Sequence, residues 1–317
     1  MFTVDAQQAL GFLTSQTAYI EPQVVEVQYP DIQYPDIIPI DTSADEWARS
    51  VEYYSTNKVG VAGWFHHWAK DIHVADSERS RFEVGIEMAD IGYRYTLEEL
   101  GVAMRIPGMN LSADRAMAAK RAYEEFIDDV ALNGNAEKNF SGIINYPGIT
   151  TVNAPGTGTG NADEWESKTA DLIMADINFV LSGMWTNSKT IELANTLLLP
   201  LSSLSLLASK RIPDTSMMVL DMILTKNIYT FTTGQPLVIR GLRGLETAGT
   251  GGSGRMVAYR RDPQVLKMHI PMTHRFLPVW QTGPMVFDVP GIFRLAGLEV
   301  RRPGAIRYLD GIANYPS

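Results

Sequence analysis

The sequence has 317 residues, enough for one large domain or two modest ones, each with its own hydrophobic core. It contains no cysteine, which excludes disulfides, thiolate metal sites and cysteine nucleophiles. The formal charge of −9, from 36 acidic and 27 basic residues, argues against a protein whose main task is to bind phosphate backbones. Neither a basic leader nor a run of about 18 apolar residues occurs, so we expect a cytoplasmic, soluble product.

Residues 1–45 are predicted to form an extended arm rather than a domain. A short amphipathic helix is possible at 2–17, but prolines follow at positions 22, 30, 35 and 39, and proline breaks helices and keeps the preceding residue extended. The segment YPDI occurs twice, at 29–32 and 34–37. We expect the Tyr, Ile and Val side chains of the arm to be buried on the same chain or on a neighbouring copy. A solvated tail is the alternative.

The region after the arm mixes helical and extended patterns. Trp47, Val51 and Tyr54 predict one or two helical turns. Residues 80–89 alternate apolar and polar side chains, as in a half-exposed strand. Two long extended runs within about residues 55–95 therefore predict a β-hairpin or projecting loop.

Two helices with clear start signals follow. A short helix is expected at 96–104, where Thr96 and Glu99 form a capping box. The longest helix is expected at 112–134, with Ser112 as its cap and a left-handed turn at Gly134. We call it the spine helix. Its buried stripe is predicted to contain Ala116, Ala119, Tyr123, Phe126, Ile127 and Val130, and its exposed face Lys120, Arg121, Glu124, Glu125, Asp128 and Asp129.

Helices then alternate with short apolar strands between about residues 150 and 245, which predicts a compact α/β lobe. The second long helix is expected at 163–183, and its buried face contains Ile173, Ile177, Val180, Leu181 and Met184. The other elements expected here are strands at 196–199 and 237–240 and helices at 201–210 and 216–225. Residues 246–317 are mostly strands, predicted at 256–260, 265–270, 285–289, 293–300 and 305–309. The expected fold class is α+β in two lobes.

No catalytic, cofactor or metal site is predicted. His66, His67 and His73 lie close together, but their spacing fits neither a helical nor a strand-based zinc site, so an aromatic packing or interface surface is preferred. Glycine loops at 154–161 and 248–254 lack the Lys and Ser/Thr of a phosphate-binding loop and are interpreted as mobile connections. No hydrolase motif occurs, and the carboxylates are patterned as surface groups.

Basic residues form local clusters in the second half of the chain. On strands, such arginines are expected to line sheet surfaces or seams between subunits and to pair with carboxylates of another copy. The clusters consist of Arg240 and Arg243, of Arg255, Arg260 and Arg261, and of Arg301, Arg302 and Arg307.

The order of these parts resembles the major capsid proteins of tailed bacteriophages. The likeness covers most of residues 45–317 and rests on the spine helix and on three later segments, none of them catalytic. These segments are NTLLLP at 195–200, RMVAYRRDP at 255–263 and GLEVRRPGAIRY at 297–308, the last containing R-P-x-A-I-x-Y.

The resemblance implies a shell-forming subunit without enzymatic activity. It implies an N-terminal arm at 1–45, an extended loop at about 55–95, a peripheral domain within 46–149 that carries the spine helix, and an axial domain at 150–245. Residues 246–317 are implied to return to the peripheral or axial domain. Covalent cross-linking through Lys58 or Lys70, known in some relatives, has no support in this sequence, so noncovalent locking is expected.

The implied partners are copies of the same chain, in hexamers and pentamers, and an enclosed double-stranded DNA that is bound without sequence specificity. Portal and decoration proteins are also implied as partners. A separate scaffolding protein is expected because residues 1–45 do not resemble a charged, helical scaffolding segment. The alternatives are an encapsulin-like compartment, a metal-dependent hydrolase that uses the three clustered histidines, and a monomeric ligand-binding module.

Overall fold

A computed structural model of the chain describes residues 31–60, 62, 74–99 and 111–314, with the side chains of the spine helix described from residue 113. The elements below lie in one compact unit that begins at Ile32. The expected helix at 2–17, residues 100–104 of the short capped helix, the side chain of Ser112 and the three clustered histidines lie outside the described residues. Within those residues, no helix is long and apolar enough to cross a membrane.

Helices occupy both halves of the described chain. They are α1 (Tyr34–Ile37), α2 (Leu111–Leu132), α3 (Ala170–Asn187), α4 (Leu201–Ser209), α5 (Val219–Thr225) and α6 (Ile228–Thr233). Short 3-10 helices lie at Ala136–Lys138, Thr159–Asn161, Trp165–Ser167, Thr250–Gly252 and Pro303–Ala305.

Strands make up most of the remaining regular structure. They are β1 (Ile40–Asp41), β2 (Ser50–Val59), β3 (Asp76–Asp90), β4 (Tyr93–Thr96), β5 (Gly134–Asn135), β6 (Phe140–Ser141), β7 (Thr150–Asn153), β8 (Thr196–Leu199), β9 (Val238–Gly241), β10 (Arg255–Tyr259), β11 (Leu266–His269), β12 (Met272–Phe276), β13 (Trp280–Gly283), β14 (Val286–Val289), β15 (Gly291–Ala296), β16 (Leu298–Val300) and β17 (Ile306–Asp310).

These strands form one five-stranded sheet and several smaller ones. The five-stranded sheet has the order β7-β17-β10-β8-β9, with parallel pairing at both its edges and antiparallel pairing in the middle. The smaller sheets have the orders β12-β15-β3-β2, β1-β11-β16, β13-β14-β4 and β5-β6. Of the C-terminal strands, β10 and β17 therefore complete the sheet of the α/β lobe, whereas β11–β16 form the smaller sheets with β1–β4.

The two faces of the five-stranded sheet support two hydrophobic clusters. Successive strand residues point to opposite faces. Val257 and Tyr308 accordingly join the cluster that contains the spine helix, whereas Ala258 and Leu309 join the one that contains α3. Nearly every side chain of β8 and β10 is therefore buried, as expected of a strand that is covered on both sides.

The spine helix confirms the prediction in length and in most of its packing. Ala119, Tyr123, Ile127 and Val130 are buried, and Gly134 has φ = +79°, the left-handed turn expected after the helix. Ala116, expected in the buried stripe, is only half-buried, and two positions differ more strongly from the prediction. Phe126 is exposed by 40%, and Asp128, expected on the outer face, is completely buried.

The second long helix has the predicted buried face, but its start was predicted too early. Ile173, Ile177, Val180, Leu181 and Met184 are all buried, and the helix begins at Ala170 instead of at residue 163. Residues 165–167 form a 3-10 turn that buries the Trp165 side chain. The capping box at Thr96 is confirmed, because each residue of the Thr96 and Glu99 pair binds the backbone N–H of the other.

Three predictions of secondary structure were wrong. The helical turns expected near Trp47–Tyr54 are instead the start of β2, where Val51 and Tyr53 pair with β3. The exclusion of a helix around Pro35 fails because Pro35 lies in the first turn of α1, where its missing N–H is not needed. The single strand expected at 293–300 is split at Gly297, where a Cβ atom would lie 2.7 Å from the Phe140 ring.

Candidate functional site

The strongest candidate for a functional feature is the attachment of residues 33–41, where the predicted arm meets the body of the chain. Asp128 Oδ1, buried on the spine helix, accepts hydrogen bonds from the backbone N–H groups of Gln33 at 2.9 Å and Tyr34 at 2.8 Å. Its other oxygen pairs with Arg243. A buried carboxylate is stable only when it is paired and hydrogen-bonded. The Asp128 carboxylate meets this condition by binding the backbone of residues 33 and 34, which holds that segment against the spine helix.

Further contacts hold the rest of this segment, which we call the anchor (residues 33–41). The Tyr259 hydroxyl donates to the carbonyl of Ile37 at 2.8 Å, and Arg240 pairs with Asp36 at 2.8 Å. Tyr34, Ile37 and Ile38 are buried in the main cluster. This part of the predicted arm therefore packs on its own chain.

The anchor ends at β1, where Asp41 lies in a cluster of charged side chains. Asp41 pairs with Lys267, and this hydrogen bond holds the pKa of Asp41 well below its usual value. His269 is buried beside it and donates from Nε2 to Glu299 at 2.5 Å. Burial raises the pKa of Glu299, but hydrogen bonds from His269 and Arg301 outweigh it, so the pKa is lowered overall. Charge pairing thus joins β1 to β11 and β16.

A third buried carboxylate, that of Asp310, binds the glycine loop at 248–254. Asp310 receives two hydrogen bonds from Arg255, at 2.7 and 2.8 Å, and two from Thr250, both at 2.9 Å. Burial raises the pKa of Asp310, but the hydrogen bonds from Arg255 and Thr250 lower it by more, so the pKa lies below its usual value. The loop therefore closes on a carboxylate, and an anion such as phosphate would be repelled there.

The carboxylates of Glu299 and Asp310 should make the folded chain less stable at low pH. Because the pKa of both Glu299 and Asp310 is lower in the folded chain, their contribution is complete above about pH 5 and is lost as the pH falls below about 4. We expect the free energy of unfolding, measured with urea between about pH 3 and pH 6, to fall over this range. In Asp310→Asn the fall should be shallower, because one titrating group is gone. An equal slope in both proteins would contradict this assignment.

The predicted projecting loop is a β-hairpin formed by β2 and β3. The two strands pair antiparallel from Ser50↔Gly85 to Val59↔Asp76, and only residues 86–90 of β3 pair with the next strand, β15. Tyr53 and Phe82 stack with ring centroids 5.2 Å apart, yet Phe82 remains 47% exposed. A two-stranded ribbon with exposed aromatic groups is marginal by itself, and such surfaces are typical of contacts with another chain.

Most of the clustered arginines already have a carboxylate partner in their own chain, whereas we expected pairing with carboxylates of another copy. Their place at seams between subunits stays a prediction. The pairs are Arg240 with Asp36, Arg243 with Asp128, Arg255 with Asp310, Arg260 with Glu192 and Asp262, Arg301 with Glu299, and Arg302 with Glu192. Arg261 donates to the carbonyl of Pro35. Sequence alone did not reveal these pairs, because their partners lie up to about 200 residues away.

The prediction of no catalytic or metal site stays a prediction. His66, His67 and His73 lie outside the described residues, and within those residues no group of three His, Asp or Glu side chains is placed to hold a metal ion. His274 donates to the carbonyl of Ile91 at 2.9 Å and packs among Tyr123, Phe276 and Phe293.

The sequence matches the family model described as major capsid protein over residues 60–312, well over half of the chain. The chain belongs to the major capsid protein family. Its α+β fold is that of solved capsid proteins of tailed phages, as the order of its parts predicted. A search of curated proteins finds no match.

Three solved structures illustrate how far this similarity extends. The capsid of Myoviridae phage XM1 is 18% identical, with a TM-score of 0.78 over 94% of this chain and 97% of that chain. The protein of Microbacterium phage Oxtober96 is 13% identical, with a TM-score of 0.62 over 98% and 99%. The capsid of the native GTA particle is 9% identical, with a TM-score of 0.63 over 98% and 100%.

Proposed function

We propose that this major capsid protein assembles with copies of itself, in hexamers and pentamers, into the icosahedral head shell that encloses the double-stranded DNA of a tailed phage. The observation that carries the proposal is the shared fold with the XM1 capsid over nearly the whole of both chains. The proposed role is structural, without catalysis, in the virion after assembly in the host cytoplasm. An encapsulin-like compartment is less favoured, since the solved structures described above are virus or GTA capsids.

The parts of the chain are assigned by this proposal to the parts of a shell subunit. Residues 1–45 are the arm, about 55–95 the extended loop, 46–149 the peripheral domain with the spine helix, and 150–245 the axial domain. The long β2–β3 hairpin supports the second assignment. Residues 246–317 are proposed to return to both the peripheral and the axial domain. The pairing of β10 with β8 and of β17 with β7 supports the axial part, and the pairing of β14 with β4 and of β15 with β3 supports the peripheral part.

The charge distribution supports enclosure of DNA without tight binding. The chain is acidic overall, and most clustered arginines are already neutralised by carboxylates of the same chain. These arginines are therefore poorly placed to displace counterions from phosphates, and we expect no sequence-specific contact. Portal, scaffolding and decoration proteins are proposed as separate partners.

The test of self-assembly compares the full chain with a variant that lacks residues 1–30. This boundary preserves the anchor, whose Tyr34 and Ile37 belong to the hydrophobic core, so the shortened chain is expected to fold. Negative-stain electron microscopy and light scattering should show shells, tubes or capsomers for the full chain, and smaller species for the shortened one. A full-length chain that remains a monomer at every concentration would contradict the proposal.

Two controls make the comparison interpretable. Circular dichroism and thermal unfolding should be the same for both chains, which separates an assembly defect from a folding defect. The contents of the shells isolated from producing cells then distinguish DNA, which the phage-shell proposal requires, from a protein cargo, which an encapsulin-like compartment requires.

A further inference from the structure

Arg307 is a buried cation on the side of the five-stranded sheet that faces α3. Its neighbours on β17, Ile306 and Tyr308, point into the cluster on the opposite face. The Arg307 side chain instead lies against α3, and the residue is only 7% exposed. Burial disfavours its charged form and lowers the pKa of Arg307.

Arg307 differs from the other clustered arginines because its guanidinium has neither a carboxylate partner nor a hydrogen bond within the described chain. Arg261 also lacks a carboxylate, but it donates to the carbonyl of Pro35. Arg255 and Arg302 each pair with a carboxylate at 2.7 Å. For Arg307, no carboxylate oxygen among the described residues lies within 4.0 Å, and its Nε and Nη1 are enclosed without a hydrogen-bond partner. The third nitrogen, Nη2, is neither enclosed in this way nor hydrogen-bonded within the described chain. Burial of an unpaired charge costs folding free energy, and a bound counter-ion would reduce that cost.

A glycine in α3 leaves room for this guanidinium group. Gly183 lies inside α3, and a Cβ atom there would be 1.7 Å from Nη1 of Arg307. Any larger residue at this position would have to displace the guanidinium. The Phe179 ring, one turn earlier, lies 5.5 Å from the guanidinium carbon and is itself 44% exposed. An aromatic face and a glycine notch thus hold the cation at the edge of the surface.

We propose that Arg307 is an oxyanion site, completed either by a carboxylate of a second copy of this chain or by a free phosphate. Nη2 donates to the oxyanion, while Phe179 and the notch at Gly183 keep the guanidinium in place. The source in a second copy rests on the proposed shell function. The binding of phosphate to a single subunit does not, so the two proposals can fail separately.

The first experiment measures thermal unfolding of the unassembled full-length chain in sodium phosphate and in sodium chloride of equal ionic strength. Phosphate should raise the Tm of the wild type in a saturable manner, on the order of 2 °C. Arg307→Met should lose this saturable response and keep only the general effect of an excluded salt. In chloride its Tm should equal or exceed that of the wild type, because the unpaired buried charge is gone.

Matched variants separate the site from the surrounding charge. Arg302→Met removes a nearby arginine that already pairs with Glu192, and it should keep the wild-type phosphate response. Gly183→Ala should weaken the response by displacing the guanidinium, whereas Ser182→Ala, beside it on the helix, should not. If Arg307→Met does not fold, Arg307→Lys replaces it, with a weaker but measurable response expected.

The second experiment determines the structure of assembled shells by electron cryomicroscopy and examines the density next to Nη2 of Arg307. A carboxylate of a neighbouring copy within hydrogen-bond distance identifies that copy as the source, and an isolated oxyanion density identifies free phosphate. The proposal is overturned if wild type and Arg307→Met respond equally to phosphate and the shells show neither group. Shells that fail to form while the phosphate response persists would contradict the proposed function and leave the site intact.

Discussion

Replacement of Asp176 by alanine is expected to lower the free energy of unfolding by about 3–5 kcal/mol. Asp176 Oδ2 lies 2.7 Å from Lys168 Nζ, and both side chains are almost completely buried. Trp165 Nε1 donates to the same oxygen at 3.0 Å, and Lys168 also donates to the carbonyl of Pro155 at 2.7 Å. Burial raises the pKa of Asp176 against the opposing effect of Lys168, which shows how strongly the site disfavours an isolated charge. The alanine variant leaves the lysine as that isolated charge.

Urea unfolding followed by circular dichroism measures this loss, and two further variants test its cause. Asp171→Ala removes an exposed carboxylate from the first turn of the same helix and should cost less than about 1 kcal/mol. Lys168→Met combined with Asp176→Leu should recover much of the stability, because it removes both charges and keeps apolar volume. If Asp176→Ala were no more harmful than Asp171→Ala, the pair would not be a structural centre of this lobe.

Periodicity identified the elements that bury a single continuous face. Thr196–Leu199 is the strand predicted, and the apolar positions of α3 are those predicted from their spacing. Such positions depend on local pattern alone. The whole-chain order of these elements was enough to suggest the family that the comparisons then showed.

Two of the failures, at Trp47–Tyr54 and at Asp128, share a different cause, since each depends on a partner distant in sequence. The residues after Trp47 form a strand because β3 pairs with them, although their spacing also fits a helical turn. Asp128 was predicted on the exposed face of the spine helix because carboxylates are usually exposed. Its Oδ1 atom instead accepts hydrogen bonds from the anchor, which lies nearly 100 residues earlier in the chain. A weak signal was present in both helices: Asp128 and Asp176 each stand next to an isoleucine of the buried stripe.

Asp128→Ala should release the anchor and lower the free energy of unfolding by about 3 kcal/mol. Two backbone N–H groups, those of Gln33 and Tyr34, lose their shared acceptor in a buried position. The ion pair with Arg243 adds less, because that arginine is partly exposed to water. Arg243→Ala should therefore cost clearly less than Asp128→Ala, and Asp129→Ala, one residue away on the exposed face, should cost less than about 0.5 kcal/mol.

Hydrogen exchange resolves whether the effect is local to the anchor. In Asp128→Ala the amides of residues 33–41 should exchange faster than in the wild type, while those of β8 and β10 in the central sheet should change only with the global stability. Because the proposed arm is continuous with this segment, a loose anchor should also raise the protein concentration needed for shells to appear in light scattering. Unchanged exchange at residues 33–41 would show that α1 and Tyr259 hold the segment without Asp128. Faster exchange with unchanged assembly would instead show that the anchor stabilises the subunit and does not direct the arm.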